Sequence, residues 1–395
     1  MRQFLRNSRL ATLMVGHFTV DSYAGIIPVL YPLLIGRFRL TLATVGLVSL
    51  AYSGMAAISQ PLFGLLADRF GTRFTGLALA WTAITFAIVG FISSFPLLLG
   101  LALLSGLGSG AFHPLGALDV RALLPTWRQS LGMSIYVTAG TVGLAMGPLI
   151  GVVVFGLYGL HGTGLLVVLG AITGGYLLWR LRDAKPVQRR RNSGSPNAPS
   201  RVPVLALAAV IGVMMSRSCT VSVFQAFTPT WYREMGYGPG FYGPLATTLV
   251  LASAVGTVGA GSLADRFGRR AMILTTLVLS LPAIALYTLY PGPWAFLTAI
   301  LIGFLAASTA PLLLLMAQQL MADRAGLASG LVMGLGFVTG AVGIPINGAI
   351  ADAIGLQKSL MTHLVLVTLT LGIAWFLPRE HEIELYTAQP EPVRC

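Results

Sequence analysis

Residues Gly64–Arg73 read GLLADRFGTR, and 197 positions later Gly261–Arg270 read GSLADRFGRR. Each copy is a short charged turn of Gly, Asp and Arg set between two long apolar stretches. A near-identical decapeptide at about half the chain length points to two similar halves, since internal repeats are a direct record of architecture. In a chain this apolar, a duplicated frame carries its binding site between the halves.

The 395 residues are 55% hydrophobic and only 9% charged, with a mean hydropathy of +0.82. Soluble domains carry about 25% charged residues, so a water-soluble fold is excluded. A helix needs about 20 apolar residues to cross a bilayer. Twelve such spans are legible, near 10–36, 42–67, 74–93, 95–119, 130–157, 162–180, 204–232, 241–264, 271–290, 293–321, 327–354 and 359–377. The predicted fold is an all-α membrane protein, two pseudo-symmetric six-helix bundles. The longer spans have room to tilt or break.

A formal net charge of +13 raises the question of nucleic acid. Its placement answers against that class. Of 25 Lys and Arg, 20 fall at the N-terminus, in the loops that follow even-numbered spans, and at the C-terminus. Only Arg37, Arg39, Arg233 and Lys358 lie on the other side, and Arg217 falls inside a span. Positive charge stays cytoplasmic, so both termini and the central loop are expected there, facing anionic lipid. The apolar stretch holding His17 and Asp21 reads as a first span, not a removable signal. Two cysteines, Cys219 and Cys395, define neither a disulfide framework nor a metal site.

Composition changes sharply at 182–203, RDAKPVQRRRNSGSPNAPSRVP, where Pro, Ser, Asn and Arg replace aliphatic residues. This predicts a cytoplasmic linker between a bundle at 1–181 and another at 204–380, with a polar tail at 381–395. Glycine and proline recur inside the spans. In membranes small residues let helices approach, and neighbours satisfy a broken backbone bond.

The twin loops resemble the signature of the major facilitator superfamily, G-x-L-A-D-R-x-G-R-R between spans two and three. The second copy fits at every position, including Gly261, Asp265, Arg266, Gly268 and Arg269. The first keeps Gly64, Asp68, Arg69, Gly71 and Arg73 but has Thr72 where the pattern is basic. The resemblance implies that these loops hold the two halves in one conformation, and the position of Asp119 and Arg121 at the end of span four places them with the Asp68 loop network and not with substrate. Span five reads GLAMGPLIGV, with Gly143, Gly147, Pro148 and Gly151. It resembles the glycine motif of proton-coupled antiporters in the superfamily, although Val152 replaces the final glycine. A plain packing face explains the same residues. Span one, GHFTVDSYAGIIPVLYPLL, and span four, SGLGSGAFHPLGALDVRA, are similar to the fosmidomycin-resistance branch of drug-efflux carriers. That branch implies export of small drugs or amphiphiles in exchange for protons across a bacterial inner membrane, by a functional monomer.

The polar residues inside the spans carry the remaining information. An ionisable group at mid-membrane costs about 2.5–3.5 kcal/mol on insertion scales. Asp21 lies halfway along span one, and His17 stands four residues earlier on the same helix face. The pair fits a proton-handling site, and a structural hydrogen bond from Asp21 to a neighbouring helix fits as well. Arg217, near the middle of span seven, keeps its charge and suits an anionic substrate group, a counter-ion role or a structural salt bridge. In the superfamily's fold spans one, four, seven and ten line a central cavity. His113 is open to two readings, a substrate contact or an imidazole bonded to a carbonyl freed by Pro114. Tyr23, Phe224 and Gln225 fit an amphipathic cavity lining, or packing. No P-loop of the GxxxxGK[ST] type occurs, so the expected energy source is a proton gradient with no cofactor. The expected partners are lipid, protons and a small-molecule substrate.

Overall fold

The computed structural model describes residues 8–123, 129–182, 203–321, 325–380 and 382–383. Within them the chain is almost entirely helical, with short connecting turns. The first half holds α1 (Ser8–Phe38), α2 (Leu42–Phe70), α3 (Thr75–Ile88), α4 (Phe95–Leu123), α5 (Gln129–Tyr158) and α6 (Thr163–Leu181). The second holds α7 (Val204–Glu234), α8 (Pro239–Phe267), α9 (Arg269–Leu289), α10 (Ala295–Ala307), α11 (Ala310–Leu320), α12 (Ala325–Ile354) and α13 (Leu356–Ala374). Among the described residues the twelve predicted spans thus appear as thirteen α-helices. Span ten is broken after Ala307 and restarts at Ala310 with Pro311 in its first turn, where a missing N–H costs nothing. Nine stretches among the described residues are long and apolar enough to cross a membrane, one of them running through both α5 and α6.

Several hydroxyl groups in these helices bond back to a carbonyl of their own helix. Thr19 donates to Val15 O at 2.8 Å, Ser22 to Phe18 O at 2.7 Å and Thr228 to Phe224 O at 2.7 Å. A polar side chain in hydrocarbon that finds its own carbonyl leaves nothing unpaired for lipid to solvate.

Glycine sets how closely the helices meet. In α5, a Cβ at Gly147 would stand 2.6 Å from Gly25 Cα and 2.7 Å from Ser22 O, and one at Gly143 would overlap Phe18 O. The span-five motif is therefore a backbone-to-backbone crossing of α5 on α1. Gly151 sits more loosely, 3.3 Å or more from Phe155 and Ile26. Similar crossings join α2 to α4, where Gly106 lies against Tyr52 O, and α8 to α10, where Gly256 lies against Phe304 O. The crossing recurs in both halves, but its glycine has moved from span four to span eight.

Contacts cluster into two units. One comprises Met1–Arg191, Ser222–Leu251 and Ala341–Ser359; the other comprises Asn192–Val221, Ala252–Gly340 and Leu360–Cys395. In the first unit, Asp352 near the end of α12 accepts from Leu42 N at 2.8 Å and from Ala43 N at 2.9 Å. Its carboxylate caps the start of α2, satisfying amides that a helix leaves unbonded and meeting the positive end of the helix dipole. Thr41 adds a local cap by accepting from Thr44 N at 3.2 Å. Beside it Gly348 lies against Leu42 O and Gly46 against Pro345, each too close to admit a methyl group.

Candidate functional site

The first unit gathers three ionisable side chains from two helices. His17 and Asp21 share one face of α1, and His113 comes from α4. Asp21 is bracketed: its Oδ2 lies 3.3 Å from His17 Nε2 and its Oδ1 lies 3.1 Å from His113 Nε2. The two rings meet edge to face with centroids 5.2 Å apart. Each ring is held from behind by a backbone carbonyl. His17 Nδ1 donates to Tyr136 O on α5 at 2.9 Å, and His113 Nδ1 donates to Ser109 O at 2.7 Å. Tyr136 also stacks on His17, with ring centroids 4.2 Å apart.

Helix α5 seals the far side. A Cβ on Gly140 would overlap Asp21 Oδ2 and lie 2.5 Å from His17 Nε2, so only glycine fits there. Burial is uneven. The His17 side chain is 7% exposed, whereas those of Asp21 and His113 are 20% and 29% exposed. The cluster is thus closed at His17 and partly exposed at the other two groups. The three residues offer ligand-type atoms within 4.8 Å of one another, and their N···O separations are those of hydrogen bonds.

His113 takes a place that neither reading of the sequence described. One nitrogen bonds a carbonyl, though that of Ser109 and not of Gly110, which Pro114 leaves without its usual donor. The other nitrogen reaches the acid. Tyr23 donates to Leu166 O at 2.7 Å and so fastens α1 to α6. Phe224 is fully buried and Gln225 half-buried on α7. Arg217 belongs to the second unit, where its Nη1 lies 4.0 Å from Met214 Sδ.

The twin loops fold alike. Gly71 and Gly268 end their helices with φ of 75° and 86°. Each bonds back to the alanine four residues earlier, Gly71 N to Ala67 O at 2.8 Å and Gly268 N to Ala264 O at 2.9 Å. With ψ of −172° and 145°, both occupy backbone conformations essentially reserved for glycine. Their partners have diverged. Thr72 donates to Asp119 on α4, which also accepts from Thr75 at 3.3 Å. In the second loop Arg269 reaches Gln319 on α11 through its guanidinium and Glu380 through its backbone N–H, the latter at 2.5 Å. Thr72 thus replaces a charged link with a neutral hydroxyl on a buried carboxylate. Arg73 stacks over Phe74, and Arg266 is exposed. The side chains of Asp68, Arg69, Arg121, Gly261 and Asp265 lie outside the described residues.

Two residues escaped the sequence reading. Gly140 stands in YVTAGTVG, four residues after Tyr136, and looked like one more small packing residue. Asp352 sits in ADAIG at the end of a span, where an acid is cheap and draws no notice. Only the contact 310 positions away gives it meaning.

The family model for the Major Facilitator Superfamily matches residues 13–343 and 206–392. The chain is 27% identical over 352 residues to the fosmidomycin resistance protein of Escherichia coli (strain K12), covering 87% of this chain and 86% of that protein. It is 30% identical over 387 residues to the MFS-type transporter YfnC of Bacillus subtilis (strain 168), covering 95% and 93%. Among solved structures, a bacterial homolog of the human lysosomal transporter Spinster superposes with a TM-score of 0.80 at 15% identity, over 99% of this chain and 100% of that one.

Proposed function

Taking as premise that the chain belongs to the major facilitator superfamily and is a multi-pass transporter rather than an enzyme, we propose that it exports a small amphiphilic or anionic compound in exchange for protons. The observation that carries this reading is the bracketing of Asp21 by two imidazoles inside the membrane. A carboxylate there is costly unless it is paired or used, and the side chains paired with it are imidazoles, groups whose ordinary proton exchange falls near neutral pH. Loading and unloading this cluster biases the equilibrium between two conformations. Substrate biases the same equilibrium from its own contacts, and the two need not share an atom.

The name of the Escherichia coli relative supports efflux and supplies a probe. The glycine crossing of α1 on α5 supports it too, because the helix bearing the acid is packed directly on the motif that the antiporters share. Arg217 suits an anionic substrate group. The arginine-rich loops support a bacterial inner-membrane protein with both termini in the cytoplasm.

Purified protein in proteoliposomes, given fosmidomycin and an imposed pH gradient, tests the proposal. Proton influx should drive accumulation on the opposite side. Asp21→Asn should abolish gradient-driven accumulation while leaving exchange at zero gradient intact. Accumulation in the same direction as the proton flow would establish symport, and full accumulation by the Asn variant would remove Asp21 as the coupling group.

A further inference from the structure

The contacts around Asp21 fix how many protons the cluster holds. Carbonyl oxygens only accept hydrogen bonds, so the carbonyls of Tyr136 and Ser109 require a hydrogen on Nδ1 of His17 and on Nδ1 of His113. Each ring has one nitrogen left. Both remaining Nε2 atoms face oxygens of the same carboxylate, at 3.3 and 3.1 Å. An Nε2 without hydrogen presents a lone pair, as a carboxylate oxygen does, and two lone pairs at that distance repel. A proton in the gap turns each repulsion into a charge-assisted hydrogen bond. Water offers no substitute between the two atoms of the His17 gap, because a separation of 3.3 Å is a direct contact with no room for a molecule between them. The other titratable groups facing Asp21, among the described residues, are the phenols of Tyr52 on α2 and Tyr136 on α5.

We propose that His17, Asp21 and His113 form a two-proton site, with one proton in each N···O gap, and that both protons leave when the cluster discharges. Fully loaded, an ionised Asp21 and two imidazoliums carry a net charge of +1; fully discharged, the cluster carries −1. Its consequence, two protons moved per transport cycle, rests on the reading of Asp21 as the coupling acid. The occupancy itself does not.

The test is the full-length protein in lipid nanodiscs, labelled with [15N]histidine and [13C]aspartate and titrated from about pH 5 to pH 9. Ring nitrogen shifts show which atoms carry hydrogen, the carboxyl shift shows the state of Asp21, and His17→Gln and His113→Gln assign the two rings. Both rings should keep Nδ1–H throughout, and the three groups should together lose two protons, reduced to one in either Gln variant. Loss of a single proton by the wild type overturns the proposal. So does a stoichiometric metal ion found by elemental analysis of protein purified without chelator. Proton-to-fosmidomycin flux ratios in proteoliposomes separate the two claims. Two titrating protons without coupled flux refute the transport reading and keep the site, whereas coupled flux with one titrating proton does the reverse.

Discussion

Replacing Gly140 by alanine adds one methyl group to α5 at the point where it meets the Asp21 cluster. The new carbon would lie 2.5 Å from His17 Nε2 and 2.7 Å from His17 Cδ2, and would overlap Asp21 Oδ2, whereas ordinary contact begins at 3.4 Å. Neither partner is the loose end of a flexible chain, because His17 is tied to the Tyr136 carbonyl. Relief therefore needs a shift of about 1 Å, which lengthens an N···O contact of 3.3 Å to beyond the hydrogen-bond limit of about 3.5 Å. Overpacking of this kind costs about 1–3 kcal/mol. Spent on the loaded cluster, that is a loss of about 5- to 150-fold in proton affinity, at about 1.4 kcal/mol per tenfold. The assay is gradient-driven fosmidomycin accumulation in proteoliposomes, with Gly156→Ala as control. That glycine also lies on α5, and a Cβ there meets nothing within 4 Å. Gly140→Ala should need a more acidic driving side for half-maximal transport, while Gly156→Ala should match the wild type. If both variants transport alike across the pH range, the glycine floor does not position the cluster.

Other perturbations probe the rest of the frame. His113→Gln should retain a hydrogen bond to Asp21 but lose one titrating group, so the pH dependence of transport should become shallower; an unchanged slope would show that His113 carries no proton. Asp352→Ala removes the cap on α2, at a cost of about 0.5–2 kcal/mol. A cysteine placed at Ala43 should then react faster with a water-soluble maleimide, and an unchanged rate would show that the cap does not hold that end closed. Gly71→Ala and Gly268→Ala force a side chain into glycine-only backbone, at about 1–3 kcal/mol each. Both should lower thermal stability in detergent, and wild-type melting of either variant would contradict the turn geometry.

The fold was legible because its signals are local. Span length, the positions of arginine and the repeated decapeptide are all read along the chain. The break in span ten was harder, since a single Pro311 among leucines does not say whether it kinks a helix or starts one. At the site, His17 and Asp21 share a helix face and could be paired from spacing alone. His113 lies 92 positions from Asp21, and no periodicity links them. Gly140 and Asp352 were silent for the same reason: each acts on a helix remote in sequence. The polarity of the contacts, and with it the proton count, resides in which ring nitrogen meets which oxygen. Residue types do not encode that.

The crossing of α1 on α5 bears on which parts of the molecule can slide. With Gly25, Gly143 and Gly147 bringing the two backbones together, this pair has no side-chain layer to shear across. His17, Asp21 and the carbonyl of Tyr136 therefore travel as one rigid body. The contact from Asp21 to His113 is different in kind, for it spans the seam between that body and α4. Of the two protons proposed for the cluster, one then bonds within that body and the other bonds it to α4, so discharge of the second removes a hydrogen bond between α1 and α4.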